Sequence, residues 1–358
     1  MIVKKIASRM SPLCYLPNGN LISYKNGRLF VIKDGKILNS IPVFKSFKEK
    51  YLSNIKIIYR LLRLGVRSAI ALSDNIIILS VANILYEFNL EKNTLSNGYD
   101  LQERIRPLYF TEVEGIDGFD DAIVFGGYLG NSEKKPVHIY KRVSLDNWEV
   151  VYTFPANIIN HIHNIIPDIY RKCLWILTGD FGSSAAIWKV TNNFKNIECV
   201  LSDSQNYRAC IGFTVPEGLL YATDTPFKQN SIYLMKEDYT VTSLAPIDGS
   251  CIFGCKWKDN YVFSSTVEAD GKNQTKFELF FGRKRGLGIK SEYFSIYTGN
   301  VDDGFKSLYK MKKDLWPFIF KFGKFQFPAG INNSDCLYLQ PVASKRNDLD
   351  LLRIKNNN

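Results

Sequence analysis

Histidine is scarce in this chain: 358 residues carry only three, His138, His161 and His163. Cysteine occurs seven times at irregular spacing, with Cys251 and Cys255 as a lone C-x3-C pair. A zinc finger needs two matched pairs and a disulfide scaffold an ordered, even set, so neither is expected. Most of the thiols fall in apolar runs and are expected to be buried and reduced. No apolar run is long enough to cross a bilayer; 76–86 is interrupted by Ser80 and Asn83. Residues 1–14 hold no continuous apolar stretch of the kind a secretory leader requires. The expectation is a cytoplasmic protein with no membrane span. No segment rich in Pro, Gly or Ser divides the chain, so 1–358 is expected to form one domain. A convincing long helix is missing too.

What is present is apolar and basic. The hydrophobic fraction of 46% is ample for a packed core, and 24 Phe with 20 Tyr favour strands. A net charge of +11 suits an anionic partner, whether nucleic acid, a membrane surface or an acidic polysaccharide. No nucleic-acid-binding motif accompanies the charge, so nucleic acid is not expected as a partner. Paired apolar marks recur at Leu29-Phe30, Leu85-Tyr86, Ile139-Tyr140, Ile187-Trp188, Ile232-Tyr233 and Leu279-Phe280. The last four follow one another at 48, 45 and 47 residues. That period, filled with short strands, predicts an all-β propeller of four-stranded antiparallel blades, seven preferred and six the alternative. Turn signals at Lys25-Asn26-Gly27 and Lys33-Asp34-Gly35-Lys36 punctuate the first blade. Segment 44–64 suggests a short helix or an outer excursion, 298–330 an irregular aromatic loop. The strand at 2–6 is expected to join the C-terminal blade and close the ring, which removes the exposed sheet edges.

Two turns between third and fourth strands resemble worn Asp-boxes: Ser144-Leu145-Asp146-Asn147-Trp148, and the stretch from Thr191 to Ile197. With FGGYLGN at 125–131, NHIHNIIPD at 160–168, WILTGDFGSSAAIWK at 175–189, DSQNYRACIGFT at 203–214 and YATDTPFKQNSIY at 221–233, the chain resembles the sialidase-like, BNR-type propellers of bacteria, known as hypothetical glycosyl hydrolases. The resemblance covers about 105–235 well and the flanks weakly. It implies a sialidase-like propeller acting on a bacterial surface polysaccharide or its intermediate. The chain departs from the family at Gly127, where an acidic residue is expected, and has no Arg-Ile-Pro element. No arginine triad or Tyr/Glu nucleophile is therefore transferred.

Blade topology brings distant residues together. In a four-stranded meander, the start of strand one and the end of strand two share one end of the blade. His161 and His163 are expected to begin strand one of blade four, and Asp180 to end its strand two. Gln205 lies in the loop leading into blade five, and Arg208 begins its first strand. Asp224 ends strand two there, 44 residues after Asp180. Tyr128 of blade three and Arg67 of blade two complete the wall. The catalytic candidates are His161, His163, Asp180 and Asp224; the substrate-binding candidates are Arg208, Gln205, Tyr128 and Arg67. Imidazoles serve acid/base chemistry or metal ligation, paired carboxylates serve glycosidases, and arginine holds a sugar carboxylate. Each also has a structural role open to it, in wall hydrogen bonds, strand-end turns or inter-blade ion pairs. No cofactor is expected, the alternative being a divalent metal at the His161/His163 pair. The favoured reading is a glycoside hydrolase with an oligosaccharide or polysaccharide partner, possibly acidic. The alternatives are a non-catalytic glycan- or protein-binding propeller and a metal-dependent polysaccharide lyase.

Overall fold

The computed structural model describes all residues except 45, 47–50, 103, 271–280, 333 and 356–358. Its strands form seven antiparallel sheets, the blades of a propeller. Blade one runs Ser11–Tyr15, Leu21–Lys25, Arg28–Lys33, Lys36–Pro42 from the axis outward. Blade four is His161–Asp168, Cys173–Gly179, Ala186–Thr191, Asn196–Leu201; blade five is Ala209–Val215, Gly218–Thr223, Asn230–Met235, Val241–Ile247. Blade six is Cys251–Trp257, Asn260–Ser265, Tyr293–Asn300, Gly304–Lys312. Blades two and three are frayed versions of this plan. Blade two starts at Ser68–Ala71, and blade three divides its first strand into Arg106–Pro107 and Thr111–Val113. The seven-blade expectation holds, and six is excluded. The Leu279-Phe280 mark lies outside the described residues.

Burial follows strand position. Cys173–Gly179, second from the axis, is buried at all seven positions, because neighbouring blades cover both faces. The outermost strand of that blade, Asn196–Leu201, is exposed or half-buried throughout. Trp175 and Trp188 fill the space beside it, Trp175 donating its indole N–H to Asp168 Oδ2 at 2.8 Å. Asn26-Gly27 and Asp34-Gly35 each occupy two-residue hairpin turns with positive φ at both positions, 51° and 77°, then 51° and 78°. This is the backbone that matches strand twist and that Asn-Gly and Asp-Gly adopt most cheaply.

The last blade is built from both ends of the chain. Ile2–Ala7 pairs antiparallel with Leu351–Lys355, outside Cys336–Val342 and the short inner strand Lys324–Gln326. The reading of 298–330 as one irregular loop is corrected: it contains the outer strand Gly304–Lys312 and the inner strand Lys324–Gln326. Charged and aromatic residues interleave there; the outer strand is half-exposed and the inner one only three residues long, so neither shows an apolar run. The helix Lys56–Leu62 ends at Arg63 in the left-handed conformation. Its Arg60 is fully buried, pairs with Asp314 and gives its Nε–H to Phe320 O at 2.5 Å. The helix is thereby pinned to the segment between blades six and seven. All seven thiols are unpaired, and only Cys199 is exposed. Among the described residues no helix is long and apolar enough to cross a membrane.

A bulge recurs near the start of the inner strand in blades one, four, five and six. In blade four it makes His163 the extra residue, between the pairs Ile162–Thr178 and Asn164–Leu177. Bulges re-aim side chains at strand ends. Gly179, opposite His161, makes room for the result: a Cβ there would lie 2.2 Å from His163 Cε1.

Deleting residues 1–7 removes five paired positions. At about 1 kcal/mol per hydrogen bond, this lowers the calorimetric Tm by roughly 10 °C and leaves an aggregation-prone edge. Gly179→Ala forces the His163 ring to move, costing about 1–3 kcal/mol in urea unfolding and shifting the His163 imidazole resonances.

Candidate functional site

Six blades contribute to one mouth of the central channel. The residues that begin inner strands or follow second strands all arrive at this end. Blades four and five bring together His161, His163, Asp180, Gln205, Arg208 and Asp224. His161 Nε2 and His163 Nε2 lie 3.0 Å apart, and Asp180 Oδ1 is 3.6 Å from each. The outer ring nitrogens are fixed by main chain: His161 Nδ1 on Leu129 O at 2.9 Å, His163 Nδ1 on Ala209 O at 2.8 Å. Tyr128 tilts over His161 with ring centroids 4.5 Å apart, and the Arg106 guanidinium lies 5.1 Å from the Tyr128 ring.

Arg208 is the hinge of the charge arrangement. Its Nη2 is 3.0 Å from Asp180 Oδ1 and 3.6 Å from Asp224 Oδ2. Burial opposes its charge, but Asp224, Asp180 and Glu268 more than offset this and hold it cationic. Burial likewise opposes ionisation of Asp180, yet its charged surroundings keep its carboxyl well below the usual carboxylate range. At 3.6 Å the imidazoles are outside hydrogen-bond distance, so we assign the larger share to Arg208. Burial pushes His161 down, opposed by Asp180.

Gln205 is a strut. Its amide N–H donates to Asp180 O at 2.8 Å, and its carbonyl accepts from the Thr225 hydroxyl at 2.7 Å. Asp224 accepts from the Cys210 thiol through Oδ2 at 3.2 Å. Its Oδ1 and the Arg208 Nε have no hydrogen-bond partner among the described residues, although both are buried. Unsatisfied buried groups in a native fold ask for a ligand, a water or an ion.

Two residues that sequence reasoning missed sit at the same mouth. Glu268 is buried, accepts the Ser250 hydroxyl, and is raised to about 7 by burial and then by the Asp224 charge. Its signal was in the numbering: Asp180, Asp224 and Glu268 follow at intervals of 44 and 44. Lys324, at the start of the inner strand of blade seven, is lowered to about 8 by burial and then by Arg63 and Arg67. It projects over the Phe253 ring at 4.4 Å. Arg67 immediately precedes the first strand of blade two and stands on this basic side with Lys324 and Lys321. The mouth is thus acidic on blades four to six and basic on blades two, three and seven.

Among the described residues, the groups with metal-ligand geometry are His161, His163 and Asp180, and separately His163, Cys210 and Asp224. The two turns read as worn Asp-boxes are hairpins between third and fourth strands of blades three and four, and nothing beyond that position supports the Asp-box reading. Asp146 Oδ1 has no hydrogen-bond partner among the described residues, so the local bond that defines such a turn is missing at that atom.

No family model matches the chain, and no curated protein does. Solved structures match along its whole length. A chain of the mitotic checkpoint complex aligns at TM-score 0.55 and 10% identity, covering 99% of this chain and 91% of that one. The AfRom2 CNH domain aligns at TM-score 0.54 and 8% identity, covering each chain completely. At such identities the likeness carries the seven-bladed propeller fold and leaves the sialidase-like assignment without support.

Proposed function

We propose that the channel mouth is the active site of a glycoside hydrolase acting on an acidic glycan. The observation that supports this best is the pairing of a carboxyl group protonated near neutrality, Glu268, with the carboxylate of Asp224 on the adjacent blade. Glycosidases need two carboxyl groups whose environments push their proton affinities apart. Glu268 is the proton donor to the glycosidic oxygen. Asp224, whose Oδ1 has no partner, acts on the anomeric side as nucleophile or through water. Asp180 and Arg208 are positioning residues that neutralise one another and hold the field at Asp224. The basic side, with Lys321, Lys324 and Arg67, receives the sugar carboxylate. The second reading, a glycan-binding propeller without turnover, is favoured by one feature: the Gln205 amide and much of the Arg208 guanidinium are engaged by the site's own oxygens.

Reducing-end release from uronic-acid and sialylated oligosaccharides tests the reading. Wild-type turnover that falls by at least ~100-fold in Glu268→Gln and in Asp224→Asn supports it. Binding without turnover selects the second reading. The rate of the hydrolase should fall as pH rises through about 7, where Glu268 loses its proton.

Stability carries the same signature independently of substrate. Because the folded-state value of Glu268 lies above its ordinary 4.5, the folded protein binds the extra proton between 4.5 and about 7. Stability from this group therefore falls as pH rises across that window. Glu268→Gln should stabilise the protein relative to wild type at pH 8, by up to about 3 kcal/mol in urea unfolding, with the gap closing near pH 4.5.

A further inference from the structure

The two imidazoles of blade four leave an electron-rich gap that a proton or a cation must fill. Leu129 O and Ala209 O face the Nδ1 atoms of His161 and His163 at 2.9 and 2.8 Å. A carbonyl oxygen only accepts, so both Nδ1 atoms carry hydrogen. In the neutral rings both Nε2 atoms are then bare lone pairs, yet they face one another across 3.0 Å in a buried wall. The third corner is a carboxylate oxygen, Asp180 Oδ1, 3.6 Å from both nitrogens. A point equidistant from the corners of this triangle lies about 2.0 Å from each, the bond length of a first-row divalent ion to imidazole nitrogen and carboxylate oxygen. The remaining fittings of a metal site are in place. Each imidazole is oriented by a carbonyl on its far nitrogen, the carboxylate by Arg208, and Gly179 leaves the space that the His163 ring occupies. The Asp180 side chain retains a quarter of its exposure, so the triangle is not sealed from solvent.

We propose that His161 Nε2, His163 Nε2 and Asp180 Oδ1 bind one first-row divalent cation of the zinc class, with an open coordination position toward the channel. Soft and borderline ions suit the two imidazoles; calcium, which takes six or more oxygens, does not. The adjacent group of His163, Cys210 and Asp224 shares His163 and so competes for the same ion. The site is independent of the hydrolase reading, because its test reads metal and not turnover.

Tag-free protein is stripped with a chelator and titrated by calorimetry with zinc chloride, manganese chloride and calcium chloride. Cobalt(II) serves as the spectroscopic probe. One equivalent of zinc should bind, calcium should not compete, and cobalt should develop visible d–d bands of a low-coordinate N/O site. His161→Gln and Asp180→Asn should each weaken zinc by at least ~100-fold, while Cys210→Ser leaves it within ~3-fold. Should His161→Gln fail to fold, nitrogen-15 spectra of labelled wild-type histidines decide: zinc must shift both Nε2 signals and leave both Nδ1 protons in place. Absence of binding by zinc, cobalt and manganese overturns the proposal. So does binding that survives His161→Gln and is lost in Cys210→Ser, or an Nε2 proton shared between the rings that persists in excess zinc.

Discussion

Everything at the channel mouth depends on a ring that is closed without a covalent bond between its two ends. Seven twisted sheets can share an axis only if the first and last are held at the right angle, and the pairing of Ile2–Ala7 with Leu351–Lys355 supplies that hold. Without it Lys324 on blade seven and Arg67 on blade two would have no fixed relation to Arg208 and Asp224. The pinned helix Lys56–Leu62 adds a second tie, because Arg60 reaches Asp314 and Phe320 across the blade one to blade seven seam. Charges drawn from positions 63 to 324 are thereby brought into one electrostatic environment.

Within that environment the balance of charge sets the chemistry. Arg208 is placed between two carboxylates and keeps Asp180 ionised. Glu268, one blade further round, meets burial and the Asp224 charge, and so retains its proton near neutrality. Lys324 meets burial and two arginines, and sheds its proton more readily than an ordinary lysine. One low-dielectric wall thus yields an acid and a base with proton affinities brought close together.

The sequence made the architecture legible because the strands second from the axis are apolar on both faces and the turns between outer strands need special residues. Asn26-Gly27 and Asp34-Gly35 were readable as turns from the requirement for positive φ alone. His161, His163, Asp180, Arg208 and Asp224 could be gathered by strand topology. Their partners could not. The bulge that makes His163 an extra residue depends on cross-strand register, which no local pattern encodes. Glu268 hid because it follows its second strand by three residues where Asp180 and Asp224 follow theirs by one. Lys324 hid because blade seven begins with only three strand residues inside an aromatic, basic stretch. Gln205 looked like a substrate ligand, but both ends of its amide are engaged inside the wall.

Six of the seven thiols are sealed within the blades, and the seventh, Cys199, stands on the outer strand of blade four. A maleimide therefore meets one sulfur on the folded molecule and seven on the unfolded one. The chain carries its own chemical clock for opening: the mass gained per molecule reports the loosening of blades one, four, five, six and seven, the ones that hold a buried sulfur, and the order of reaction tells these blades apart.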